Sequence, residues 1–274
     1  MKRRKPNALA HVWLVLVTAV FAMPLLWMFL SSLKSGGELL SNPYRLLPEA
    51  WRFRNYVEAV TTMPFLQYLR NSLVLCAGTV LGTLFSCTLV AYGFARINWP
   101  GRNFVFGVLI ATLLLPWHVT MIPRFLLLRE LGLYNTLGAL IVPTFFGDAF
   151  FIFLLRQFFL TLPEELSDAA RLDGCTEWGI FWRIALPLSR PALATVALLQ
   201  FIAAWNDFNG PLLYLRDSSR FPLAYGLEQF VSSHSSQTHL LLAAAVLFTL
   251  PIVVLFLLAQ RIFMRGITTG GSKG

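Results

Sequence analysis

Five of the chain's 13 acidic residues, Glu164, Glu165, Asp168, Asp173 and Glu177, fall within fourteen positions, interspersed with Arg171 and flanked by Arg183. Trp178, Phe181, Trp182 and Ala185 follow at i, i+3, i+4 and i+7, the period of one helix face. Acids and arginines around an apolar stripe suit docking, in which an anchor seats in a groove and the surrounding charges set complementarity. The same pattern describes a connector whose stripe packs beneath a bundle, and spacing alone does not separate the two. Covalent chemistry is not indicated. The chain has no H-E-x-x-H helix and no Gly-rich Walker loop. His118 has no second His or Cys near it at metal-ligand spacing and reads as a capping or packing residue. No catalytic or metal-ligating residue is assigned.

Local signals divide this stretch into two short helices. Thr161 is expected to cap the first, with Pro163, Glu164 and Glu165 in its opening turn, where proline costs little and carboxylates meet the positive end of the dipole. Gly174 suits the left-handed position that stops it. Thr176 is expected to cap the second, and Pro187 to end it.

The rest of the chain is built to lie in lipid. Of 274 residues 57% are apolar and 13% charged, against about 25% charged in an ordinary soluble domain. Six apolar runs reach the roughly 20 residues that a spanning helix needs, at 9–31, 71–94, 104–125, 137–158, 190–212 and 240–263. Pro116 and Pro123 interrupt the third, and Pro191 and Pro211 bracket the fifth. The expected fold is an all-α polytopic membrane protein with six transmembrane helices. A basic N-terminus (1–8) precedes a membrane domain over 9–265, the two-helix element lies in 159–189 between spans four and five, and a tail covers 266–274.

The net charge of +9 then reads as an orientation signal. With both termini cytoplasmic, the inner segments hold Lys2, Arg3, Arg4, Lys5, Arg96, Arg102, Arg156, Arg171, Arg183, Arg190, Arg261, Arg265 and Lys273, against the five acids of 164–177. No nucleic-acid partner is needed to explain the basic balance. The three cysteines are expected to be unpaired, Cys76 and Cys87 lying about 16 Å apart along one helix.

Polar residues inside spans are costly and default to functional candidates. Trp117, His118, Asp148, Gln157, Gln200, Asn206, Asp207 and Asn209 qualify as lining for a polar path. Asp148 serves equally well as a structurally paired carboxylate. Trp205 and Tyr214 read as interfacial belt residues.

One order of residues goes further. Asp168-Ala169-Ala170, three residues, Gly174, nine residues, then Ile184-Ala185-Leu186-Pro187 resembles the coupling-loop motif of permease subunits in ATP-binding-cassette importers, with Asp168 where that pattern has Glu. Arg70-Asn71-Ser72, Ala91-Tyr92-Gly93-Phe94-Ala95-Arg96, Ile122-Pro123, Leu131-Gly132-Leu133-Tyr134-Asn135-Thr136, Arg156-Gln157-Phe158-Phe159, Trp205-Asn206-Asp207-Phe208 and the Gly271–Gly274 tail extend the resemblance along nearly the whole chain, toward the carbohydrate-uptake class and the six-span permease type of the maltose importer.

The resemblance implies an inner-membrane protein of a prokaryote that pairs with a second homologous permease subunit. Two cytoplasmic ABC ATPase subunits would bind ATP and Mg, an extracytoplasmic solute-binding protein would deliver a sugar or related polyhydroxy solute, and this chain would bind no cofactor. It further implies that residues 163–187 sit in an ATPase cleft. Trp178, Phe181 and Trp182 would be the apolar anchors, Glu164, Glu165, Asp168, Arg171 and Asp173 the charged rim, Gly174 the bend, and Ala169, Ala170, Ile184, Leu186 and Pro187 the rest of the motif. An ion-coupled carrier or channel working without an ATPase is the alternative, but the chain has few intramembrane ionisable residues and no visible repeat.

Overall fold

A computed structural model of the chain describes residues 8–233 and 237–270. The basic positions 1–7 and the Gly271–Gly274 tail lie outside the described residues. Among those described, every regular element is helical. Among the described residues, four helices are long and apolar enough to cross a membrane, Leu9–Ser32, Phe65–Arg96, Gly138–Leu160 and Thr238–Leu258, and two bent helix pairs raise the count to six if each pair is one span.

The described residues fall into two compact units. The first lies within Met1–Phe65 and Leu227–Pro251, the second within Leu66–Gly226 and Ile252–Gly274. In the first unit, α1 (Ala8–Ser32) is apolar on all sides and exposed from Leu9 to Trp27, as befits a lipid-facing helix, while its last turn, Leu30 to Ser32, is buried. After it the chain folds through α2 (Gly36–Ser41) and α3 (Arg54–Thr62). The buried Asn55 amide donates to the carbonyls of Ser32 and Lys34, both at 2.8 Å, and Glu38 accepts the Glu49 N–H at 2.9 Å. These bonds satisfy backbone groups that burial removes from solvent.

The second unit is organised on α4 (Phe65–Arg96), longer at both ends than the 71–94 run. Gly78 and Gly82, one turn apart, let the segment 138–146 approach closely. A Cβ on Gly78 would stand 2.8 Å from Ile141 Cδ1, and one on Gly82 would stand 2.8 Å from Phe145 Cδ2. Small residues at such spacing are a common means of bringing membrane helices together. The buried cluster around α4 includes Cys87, Tyr92, Phe94, Phe151, Leu155, Phe159, Phe181 and Val196.

The third expected span, 104–125, is not one helix. α5 (Arg102–Ala111) runs through a 3₁₀ turn to Leu114, and α6 (Trp117–Glu130) leaves at 101°. Proline disfavours the helical region for the residue before it, and Leu115 is extended, with ψ 116° ahead of Pro116. Pro123 sits inside α6 without breaking it. The fourth run begins with α7 (Gly138–Ile141) and a 3₁₀ segment, turns at Gly147, and continues as α8 (Ala149–Leu160).

After α8 come α9 (Glu164–Leu172), α10 (Glu177–Ile180), a π turn over Phe181–Ala185, and α11 (Leu186–Leu188). Two local expectations are corrected here. Thr161 does not cap α9. It closes α8, its hydroxyl donating to Phe158 O at 2.7 Å, while Pro163 occupies the cap position with no side-chain bond. Nor does Pro187 end its helix. The chain stays helical to Leu188 because the Pro187 position follows a π turn, whose i→i+5 register leaves a backbone carbonyl clear of the ring.

α12 (Arg190–Trp205) then departs at 74° to the preceding pair. Its 16 residues give about 24 Å of helix, so the expected span 190–212 is interrupted after Trp205. The chain resumes as α13 (Asn209–Tyr214), α14 (Leu223–Ser233) and α15 (Thr238–Gly270). Trp205 and Tyr214 are corrected as well. Both are buried, Trp205 stacking on Phe201 at 5.5 Å and Tyr214 on Phe125 at 6.2 Å, because α12 and α13 turn these faces inward. Cys76, Cys87 and Cys175 are free thiols.

Candidate functional sites

The segment from Glu164 to Leu188 is ordered by local chemistry. α9 stops in a Schellman arrangement, in which Gly174 N–H donates to Arg171 O at 3.0 Å and Cys175 N–H to Ala170 O at 2.9 Å. Gly174 has φ +79°, the left-handed conformation that an L side chain resists. Thr176 caps α10 by accepting the Gly179 N–H at 3.2 Å.

Arg171 closes the bend between α9 and α10. Its Nε donates to Glu177 Oε1 at 2.7 Å and its Nη1 to Asp168 Oδ1 at 2.7 Å. These bonds, Glu177's first, push the Arg171 pKa up. The bridge reaches beyond the segment, since the Tyr92 hydroxyl of α4 donates to Glu177 Oε2 at 3.3 Å. One turn on, the buried Arg96 side chain donates to Phe159 O at 2.9 Å and to Leu162 O, with Glu164 at 3.9 Å.

The apolar stripe divides between two environments. Phe181 is 2% exposed, with Ile180 and Ala185 also buried, whereas Trp178 is 60% and Trp182 48% exposed. Phe181 packs 5.0 Å from Tyr92. Glu164, Glu165, Asp168, Ala169, Asp173 and Gly174 are exposed, Ala170, Ile184 and Leu186 half-buried, and Pro187 exposed. Leu172 is a further exposed apolar residue, 90% exposed. Its position on α9, outside the Trp stripe, hid it from periodicity.

The second site is a cavity of about 330 Å³ in the same unit. Leu75 and Thr79 of α4, Trp117 and Arg124 of α6, Gln200 of α12, and Asp207, Asn209 and Tyr214 are among its lining. Four expected path residues, Trp117, Gln200, Asp207 and Asn209, thus line one cavity. Asp207 is held by the Gly210 N–H at 3.0 Å, at the start of α13. An aromatic face, an amide, a carboxylate and a guanidinium make a lining suited to a polyhydroxylated solute. Arg124 was not singled out by sequence, having no partner of recognisable spacing.

The other path candidates stand apart. Asp148 caps α8, accepting from Phe150 N at 2.9 Å and Phe151 N at 3.2 Å. Asn206 bonds back to Ile202 O at 2.8 Å, His118 packs edge-on to Trp117 at 5.3 Å, and Gln157 lies exposed on α8.

Residues 78–269 match the family described as binding-protein-dependent transport system inner membrane component. The chain is 36% identical to the arabinooligosaccharides transport system permease protein AraQ of Halalkalibacterium halodurans, over the whole of both chains. It is 33% identical to the diacetylchitobiose uptake system permease protein NgcG of Streptomyces coelicolor, covering 97% of this chain and 89% of that one. A chain from the crystal structure of a bacterial ABC transporter involved in import of the acidic polysaccharide alginate superposes with TM-score 0.79 at 25% identity, over 92% of this chain and 94% of that one.

Proposed function

The chain belongs to the family of binding-protein-dependent transport system inner membrane components, and we propose that within it this protein is the permease subunit that carries a saccharide through an ATP-driven importer. It is a multi-pass membrane protein. The observation that carries the reading is its end-to-end similarity to permeases named for arabinooligosaccharide and diacetylchitobiose uptake, joined to a polar cavity lined by Trp117, Gln200 and Asp207.

In this reading both termini are cytoplasmic and α9 to α11 dock on an ABC ATPase subunit, Trp178 and Trp182 filling its groove. A second permease completes the translocation path, and a binding protein delivers solute from outside. This chain is non-catalytic, ATP and Mg being held by the two ATPase subunits. Closure of the ATPase dimer moves the docked helices and switches the membrane helices between two states, one favoured by ATP. Support comes from the exposed aromatic face, the rigid bend at Gly174 and the motif spacing.

The test is expression of this chain with its second permease, ATPase and binding protein, followed by reconstitution into liposomes. Uptake of a labelled oligosaccharide should require internal ATP and external binding protein. Uptake by the purified chain alone under an ion gradient would instead establish a secondary carrier.

A further inference from the structure

We propose that Tyr92 is a positioning residue that fixes the coupling helices to the C-terminal end of α4, so that their movement is delivered directly to the wall of the cavity. The inference rests on the coupling reading given above.

A single carboxylate, that of Glu177, joins three elements. Oε1 accepts from Arg171 Nε at 2.7 Å, which binds α10 to α9, and Oε2 accepts from the Tyr92 hydroxyl at 3.3 Å, which binds both to α4. The Tyr92 ring is wedged edge-on against Phe159 at 5.7 Å and Phe181 at 5.0 Å, so its hydroxyl has little freedom to point elsewhere. Four residues later Arg96 holds Phe159 O and Leu162 O, at the start of the same segment. The last turns of α4 therefore hold the chain on both sides of α9, ahead of its start and beyond its end.

This attachment matters because α9 has no buried residue of its own. Without Arg171 and Arg96 it would pivot at 161–163 and at Gly174, and force applied to the exposed tryptophans would be lost in that motion. With them, α9, α10 and the end of α4 move as one body. α4 is helical without interruption from Tyr92 back to Thr79 and Leu75, which line the cavity. That separation is about 20–25 Å along a helix. The Tyr92 tie thus lies at one end of a continuous helical path between the two sites.

The experiment uses the complete reconstituted transporter and reads both solute imported and ATP hydrolysed. Tyr92→Phe removes one oxygen and keeps the rings. The complex should assemble as before, while solute imported per ATP falls about fivefold or more. Glu177→Ala should lower the same ratio, and the double variant should be no worse than the more severe single variant. Tyr92→Phe with a wild-type ratio, or additive losses in the double variant, would overturn the proposal. Trp178→Ala with Trp182→Ala separates the two readings. If that pair abolishes ATPase binding while Tyr92→Phe is silent, the tie is refuted and the coupling reading stands, and if all are silent both fail.

Discussion

Trp178 stacks on Phe181 with ring centroids 5.7 Å apart and planes 29° apart, the first ring largely in solvent and the second wholly buried. The pair is a graded structure, with an inner ring belonging to the bundle and an outer ring available to a partner. Phe181→Ala should therefore act on stability, by about 3–5 kcal/mol as for buried aromatics, and lower the yield of folded protein. Trp178→Ala should leave folding intact and weaken ATPase association about tenfold or more, as interface aromatics do. Thermal unfolding in detergent and co-purification of the ATPase check the two outcomes separately.

The Gly174 bend sets the angle between α9 and α10. A side chain there meets open space, so the cost is purely one of backbone conformation. At φ +79° that cost is about 1–2 kcal/mol for an L residue and greater for a β-branched one. Gly174→Val should abolish stimulation of ATP hydrolysis by loaded binding protein, and Gly174→Asn should retain much of it. Equal, wild-type stimulation in both variants would show that the bend is not needed.

The cavity makes a different demand. Asp207→Asn keeps the shape of the side chain and its reach to Gly210 while removing the charge, and Trp117→Ala removes an aromatic wall. Loss of a hydrogen bond to a charged group, about 1.5–3 kcal/mol, corresponds to at least a tenfold fall in uptake efficiency. Uptake at varied solute concentration should show it, with ATPase association unaffected.

Asp217 offers a pH test outside the spans. Its carboxylate accepts the Ser219 N–H at 2.9 Å, which holds its pKa below the ordinary carboxylate value. The stabilisation is thus present above the unfolded pKa of about 3.9 and lost as pH falls through the lower folded value. After correction for intrinsic exchange rates, protection of the Ser219 amide should decrease in that acid range. In Asp217→Ala protection should be low at every pH.

Features made by neighbouring residues were legible in the sequence. Gly174 and Thr176 act on backbone a few residues away, and each adopts the geometry its type favours. Thr161 shows where such logic stops, since two adjacent helix ends competed for one hydroxyl and the preceding helix took it. Pro116 announced a break, but the 101° angle depends on the packing of both halves. Tyr92 and Arg96 were visible only as part of a motif, because their partners lie 63–85 residues away. Periodicity put Phe181 and Trp182 on one stripe and could not tell which would face the bundle.

Transport by the reconstituted complex tests the central claim most directly. Proteoliposomes holding this chain, its second permease and the ATPase are supplied with loaded binding protein outside and ATP inside, and labelled saccharide uptake is followed with and without an ionophore. The account predicts uptake that depends on ATP and on binding protein, is indifferent to the ionophore, and is lost in the Trp178→Ala, Trp182→Ala double variant. Uptake that persists without ATP and collapses with the ion gradient would contradict it.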